Sequence, residues 1–479
     1  MRQERCLRAR RPPAPCPSPR FSRAPRVCGM TTTPLWSKGL PLDAAIHRYT
    51  VGEDPQLDLA LLPFDVQASA AHARMLGEVG LLSESDGATL IAALAALKPV
   101  VDARELPISA EQEDGHTALE HALIARVGEA GKRIHLGRSR NDQVLVALRL
   151  LLRARLLALA GQVHTLAAAL LEFAQAHEHI ALPGYTHLRR AMPSSWGQWA
   201  AGYVEGLVEE LEAADGLWRR LDRCPLGAAA GFGVPLPLDR ERVATLLGFS
   251  RVQRAPVDVM NSRGRHEQAL LDWLASLAGT LEKLCWDLSL YSTEEFGYVR
   301  LPDAYTTGSS IMPQKRNPDV LELARGRCRE LRGIADWHRQ IVSGLPGSYH
   351  RDFQLHKRPL LAGIDAAAST LDVLARLIPV LSVDASRSNA AMGDELYAAH
   401  QAYALVAAGA TFRDAYRQVG EAVLAGRFVP DRDALSATHC GGLGALGLSD
   451  YAADLAGNAA VLEQRRVLLD AVEARVFAP

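Results

Sequence analysis

Residues 143–182 run for forty positions without a proline, and Gly161 is the only glycine among them. Leu148, Leu152, Leu156, Leu159, Val163, Leu166, Leu170 and Phe173 recur through this stretch at spacings of three and four. That repeat places one apolar stripe along a helix, the pattern of a bundle or coiled-coil seam. Forty helical residues span about 60 Å, roughly twice the width of a small domain. A helix of that length rarely rests on the core of one subunit alone. The chain is therefore constrained to an architecture of long helices packed side by side.

The remaining sequence agrees with this constraint. Helical patterns cover residues 195–222, 264–297, 318–343 and 352–381, with Pro359 near the start of the last, where it can kink the helix. Between them lie the Gly/Pro-rich stretches 183–193, 225–237 and 301–318, which read as loops. Strand signals are few and no βαβ alternation occurs. The expected class is all-α, with three helical domains: residues 30–137, a central bundle of about five long helices at 138–387, and residues 388–479.

Residues 1–29 differ in kind. They hold Arg2, Arg5, Arg8, Arg10, Arg11, Arg20, Arg23 and Arg26, six prolines and a single acid, Glu4. Such a segment cannot bury apolar surface and is expected to be disordered. It has neither the apolar run of a secretory signal nor the amphipathic helix of a transit peptide. Met30 reads as the start of the folded protein, with the preceding residues an upstream extension.

The formal net charge of −1 gives no global attraction to nucleic acid or to an anionic membrane. No apolar run reaches the roughly 20 residues of a membrane span. Cys6, Cys16 and Cys28 lie in the tail, and Cys224, Cys285, Cys328 and Cys440 are scattered without metal-binding spacing, as expected of reduced thiols in a cytoplasmic protein. No Rossmann fingerprint or P-loop is present, so no cofactor and no metal is expected.

Chemistry concentrates in a few polar segments. Thr307-Gly308-Ser309-Ser310-Ile311-Met312-Pro313-Gln314-Lys315-Arg316-Asn317-Pro318-Asp319 joins two helical patterns, with Pro318 suited to a helix start. Gly308 permits movement, two hydroxyls follow, and Lys315, Arg316 and Asn317 offer donors to an anion; an ordinary polar turn explains the composition equally well. His135-Leu136-Gly137-Arg138-Ser139-Arg140-Asn141-Asp142-Gln143 opens the longest helix, whose N-terminal N–H groups favour a carboxylate. Helix capping by Asn141 or Asp142 is the plainer account. A third segment, Pro183-Gly184-Tyr185-Thr186-His187-Leu188-Arg189-Arg190-Ala191-Met192-Pro193, sets one histidine between two helices.

Residues 308–319 resemble the signature loop of the fumarase/aspartase superfamily in the form found in argininosuccinate lyases: Gly-Ser-Ser, a hydrophobic residue, Met-Pro-Gln-Lys, a basic residue, Asn-Pro-Asp. Residues 137–143 and 183–193 are similar to further motifs of that family, the latter departing at Arg189 and Met192, where glutamines are common. Glu113-Asp114-Gly115-His116-Thr117 resembles its acidic-His-Thr stretch, and residues 344–349 its Gly-Leu-Pro-Ser-Thr-Tyr stretch. Two departures stand out. A family Phe-x-Ser-Ser-Ile pattern is replaced around residues 49–54, and a motif ending in Glu-Arg-Asp reads Ser262-Arg263-Gly264-Arg265-His266-Glu267, where Arg265 is the candidate substitute.

The resemblance implies a fumarase/aspartase-like fold whose central bundle assembles into a homotetramer, with the apolar stripe at the tetramer centre and each active site shared between subunits. It implies cleavage of argininosuccinate to arginine and fumarate, by β-elimination through a carbanion. Ser309 is then the base, Lys315 and Asn317 hold the developing negative charge, and His187, oriented by Glu322, is the acid or proton relay. Arg140, Asn141, Thr186, Asp114, His116, Tyr349, Gln354 and Lys357 become substrate contacts. Other fumarate-releasing lyases of the superfamily (adenylosuccinate lyase, aspartase, fumarase) and a crystallin-like structural homologue remain the alternatives.

Overall fold

The computed structural model describes residues 43–432 and 437–478; the reading of residues 1–29 lies outside these. Short helices, including Ala44–Val51, lead into three longer ones, α1 (Leu62–Glu78), α2 (Glu84–Asp102) and α3 (Gly115–Val127). Each start has a local cause. Pro63 occupies the first turn of α1, Ser83 caps α2 by accepting from the Asp86 N–H, and Asp114 caps α3 through the Thr117 N–H.

The long helix, α4 (Arg140–Ala176), has 37 residues. Its cap is Ser139 rather than Asn141. The Ser139 Oγ accepts from the Asn141 N–H at 3.2 Å, and Asp142 accepts from the Ser139 N–H at 2.9 Å, a capping box. The other Asp142 oxygen takes the N–H groups of Gly227 (3.0 Å) and Ala229 (2.7 Å), tying the start of α4 to the 225–237 turn. Burial pushes the Asp142 carboxyl up to about 6. The helix ends at Ala176, six residues short of 182, where the chain turns into an antiparallel hairpin, β1 (Ala181–Thr186) and β2 (Arg189–Ser195).

The hairpin corrects the expectation of a loop at 183–193. Pro183 and Pro193 face each other in a two-stranded ribbon, where a missing N–H on an outer edge costs no ladder bond. Thr186 pairs with Arg189, leaving a two-residue turn at His187 and Leu188 with φ of +53° and +56°. Two successive positive φ values match the twist of the flanking strands but suit Asn-Gly better than His-Leu. Leu188 is 80% exposed, so it has no packing to lose. Leu188→Asn is expected to raise the unfolding free energy by about 0.5–1 kcal/mol in urea denaturation, since Asn tolerates this conformation.

Four more long helices follow: α5 (Trp196–Leu221), α6 (Arg265–Tyr291), α7 (Asp319–Val342) and α8 (Lys357–Leu377). With α4 they form the expected five-helix bundle: α4 packs on α5 and α8, and α6 lies among α5, α7 and α8. A final helix, α9 (Leu448–Phe477), runs back along α4 and α1. The apolar stripe corrects a second expectation. All eight residues from Leu148 to Phe173 are 5% exposed or less within the single chain. The α4 helix is the inner strut of its own bundle, with α5, α8 and α9 around it, so the stripe is covered without another subunit. On its other side, Val146 and Leu150 join the core beneath α1 and α2.

An aromatic cluster anchors the hairpin. Trp196 lies edge-to-face with Tyr291 at 5.6 Å, Tyr185 with Phe296 at 5.8 Å, and the Tyr185 and Tyr298 hydroxyls hydrogen-bond at 2.9 Å. Among the described residues, no helix is long and apolar enough to cross a membrane.

Candidate active site

A cavity of about 450 Å³ opens where the first turn of α4 meets the start of α3, the segment before α1 and the loop before α8. Arg138, Ser139, Arg140 and Asn141 form one wall, Glu113 and Asp114 another, and Tyr349, Arg351, Gln354 and Lys357 a third. Segments separated by more than two hundred residues thus converge, because the capping box aims the start of α4 at the loop before α8.

Asp114 accepts from the Thr117 N–H at 2.9 Å and the Thr117 hydroxyl at 2.8 Å, and pairs with Arg140. Burial works against its charge, but His116, Arg140 and the Thr117 donors outweigh burial and hold the carboxyl below its usual range. Arg140 also faces Glu113 at 3.7 Å, and Asn141 lies beside it on the wall.

His116 does not reach the cavity. It points inward, its Nδ1 2.5 Å from Asp65, which also accepts from Gln143 at 3.0 Å. Burial pulls the imidazole down, and the adjacent Asp65 carboxylate overcomes it and raises the pKa. The second residue after the α3 cap is turned onto α1, so His116 secures the wall instead of lining it. Its neighbour His135, by contrast, lines the cavity with its pKa pushed down to about 4 by burial and by Arg138.

Lys357 is 3% exposed and bonds Asp58 at 2.5 Å and Asp54 at 2.9 Å. Burial would depress its ammonium, but the two carboxylates raise it. Gln354 is fixed by donating to the carbonyls of Thr50 (2.9 Å) and Val51 (2.8 Å). Tyr349 sits on Leu145, Ala228, Val259 and Met260.

The other candidate residues lie elsewhere on the chain. Thr186 and His187 are exposed at the hairpin tip. Ser309 and Lys315 lie on a loop closed by a two-residue ladder, β3 (Thr307–Gly308) pairing with β4 (Arg316–Asn317), and braced by a bond from Thr307 to Asp319. The Ser309 Oγ accepts from the Met312 N–H at 3.2 Å and the Ile311 N–H at 3.4 Å. Glu322 is exposed on the first turn of α7. Among the described residues, no hydrogen bond joins His187 to Glu322 or the Ser309 loop to the cavity.

The cavity residues that sequence reading missed include Asp54, Asp58 and Arg263. Asp54 was masked by the departure around 49–54, and Asp58 lies four residues beyond it. For the third, attention fell on Arg265, yet Arg265 is the first residue of α6 and pairs with Asp258 at 3.0 Å away from this cavity. Gly264, at φ +82°, turns the chain so that Arg263 faces inward. That glycine between two arginines was the available signal.

The chain is similar to several known proteins. The Lyase family profile matches residues 42–333. The argininosuccinate lyase of Sorangium cellulosum is 45% identical over 422 residues, 87% of this chain and 97% of that protein. The argininosuccinate lyase of Parabacteroides distasonis is 38% identical, covering 86% of this chain and 92% of its own length. Among solved structures, an EDDS lyase in complex with formate superimposes with a TM-score of 0.76 at 23% identity, over 91% of this chain and 95% of that one. A class II fumarase from Schistosoma mansoni gives 0.68 at 16% identity, over 81% and 91%. The folds therefore coincide, and on the strength of the sequence relatives this all-helical chain belongs to the argininosuccinate lyase family, as a lyase enzyme.

Proposed function

We propose that this enzyme catalyses the reversible β-elimination of argininosuccinate to L-arginine and fumarate, the last step of arginine biosynthesis, in the cytoplasm and without a cofactor. The observation that carries the reading is the convergence of Arg140, Asn141, Asp114, Tyr349, Gln354 and Lys357 on one polar cavity, in a chain 45% identical to an argininosuccinate lyase.

The reaction removes a proton from the succinyl carbon next to a carboxylate, and the electron pair spreads into that carboxylate. Fixed cations and N–H dipoles must await the charge, which is commonly the largest single contribution to catalysis. Lys315 and Asn317 take this role. Ser309 is the base, and the two N–H groups already directed at its Oγ favour the alkoxide. The pair then forms the double bond of fumarate while the C–N bond breaks and the guanidino nitrogen leaves with its electrons. His187, oriented by Glu322, relays the proton, and Thr186 contacts substrate.

Ser309, Lys315 and His187 sit on exposed elements apart from the cavity, which supports a site completed between subunits of a homotetramer. Sedimentation equilibrium tests this: a fully active monomer is incompatible with it. A substrate panel read by fumarate absorbance tests the reaction itself. Argininosuccinate is expected to give product, and adenylosuccinate, aspartate and malate none; turnover of any of those three in its place would overturn the assignment.

A further inference from the structure

Arg263 is buried with no carboxylate in hydrogen-bonding contact, Glu267, Asp54 and Asp58 acting on it only from a distance. It is 6% exposed and stands on the wall between the 450 Å³ cavity and a neighbouring one of about 500 Å³. Its guanidinium rests over Tyr349 and Phe353, 5.0 and 5.8 Å from the ring centroids. Among the described residues it makes no side-chain hydrogen bond or ion pair, and its Nε is sealed from solvent. Aromatic faces repay only part of the cost of burying a cation, and no anion touches the guanidinium.

One acidic cluster in the same cavity is short of a cation. Asp54 and Asp58 share the single ammonium of Lys357, leaving one negative charge in excess. Burial, with Asp58 adding to it, pushes the Asp54 carboxyl up to about 6 despite Lys357. A ligand bearing one carboxylate and one ammonium on the same carbon offers a partner to each. Of the other three cavity arginines, Arg138 bonds Ser69 at 2.9 Å, Arg140 pairs with Asp114, and Arg351 donates to Gln354 at 3.0 Å and to the Thr50 carbonyl at 2.9 Å.

We propose that Arg263 and Asp54 form the subsite for the α-amino-acid end of the substrate, Arg263 holding the carboxylate and Asp54 the ammonium. This rests on the argininosuccinate reading, in which substrate and product arginine both carry that zwitterion on an arm remote from the breaking bond. Arg263 therefore sets affinity and specificity and leaves the chemical step alone. It occupies one of the two motifs in which the chain departs from the family pattern.

The test uses the full chain and two inhibitors of fumarate release, L-arginine and agmatine, which is arginine without its carboxylate. The unaltered protein is expected to bind arginine on the order of 100-fold more tightly, since a site built around a charged hydrogen bond rejects a ligand lacking the partner. Arg263→Gln is expected to erase most of that preference and to raise KM for argininosuccinate by a similar factor, with kcat within a few-fold. Arg263→Lys should recover part of the loss. Equal binding of agmatine and arginine by the unaltered protein overturns the subsite, as does a variant that keeps the preference. The first comparison needs no folded variant. Argininosuccinate turnover without discrimination would fell the subsite alone, whereas no fumarate release would fell the reaction and the subsite together.

Discussion

Ser309→Ala is expected to lower kcat for fumarate release by roughly 10³-fold, the scale on which a positioned base contributes, with KM changed only a few-fold. The argument is local. Ser309 sits on a seven-residue loop held at its base by the Thr307–Gly308 and Arg316–Asn317 ladder, so the loop keeps its anchor when the hydroxyl is lost. The Oγ accepts only the Ile311 and Met312 N–H groups at 3.4 and 3.2 Å, both exposed to water, so little stability goes with it. The melting temperature should therefore stay within about a degree or two of the parent, as for a surface substitution. Stopped-time assays of fumarate absorbance alongside thermal unfolding check both halves. A variant that retains its rate removes Ser309 from the base role.

Lys357→Met is expected to cost about 3–5 kcal/mol of stability, because it strips the compensating charge from two buried carboxylates. Asp58 is 2% exposed and cannot recruit water in place of the ammonium. The sign of the pH dependence follows from Asp54, whose carboxyl stands near 6 in the folded chain against 3.8 as its unperturbed value. An acid raised on folding binds its proton more tightly in the native state, so its contribution favours folding at low pH and is lost as pH rises through the folded value. Without Lys357 the Asp54 carboxyl moves further up. The variant should then be closest to the parent near pH 5 and furthest from it near neutrality and above, read from urea midpoints across pH. A uniform deficit at all pH values would show that lost packing, and not stranded charge, is the cause.

The bundle was legible because its signals are long and periodic. Five helical patterns yielded five long helices, with boundaries displaced by a few residues where caps decided them, as at Ser139. Two misreadings have physical reasons. Prolines 183 and 193 resemble loop punctuation until they are seen on the free edges of a ribbon. The leucine stripe of α4 looks like a subunit seam, because periodicity reports that a face is covered and is silent about which chain covers it. In the cavity, residues in or beside matching motifs (Arg140, Asn141, Tyr349, Gln354, Lys357) were identified, while Asp54 and Arg263 lie in the departures from those motifs and Asp58 just beyond one of them. His116 was named from its motif, yet its role depends on which way the second residue after a helix cap turns, and that is set by Asp65 fifty-one positions earlier.

A single progress curve bears most directly on the proposed reaction. Purified protein mixed with argininosuccinate should release fumarate, followed by its ultraviolet absorbance, with one arginine appearing for each fumarate. No fumarate from argininosuccinate, or identical traces from the parent and Ser309→Ala, would contradict it.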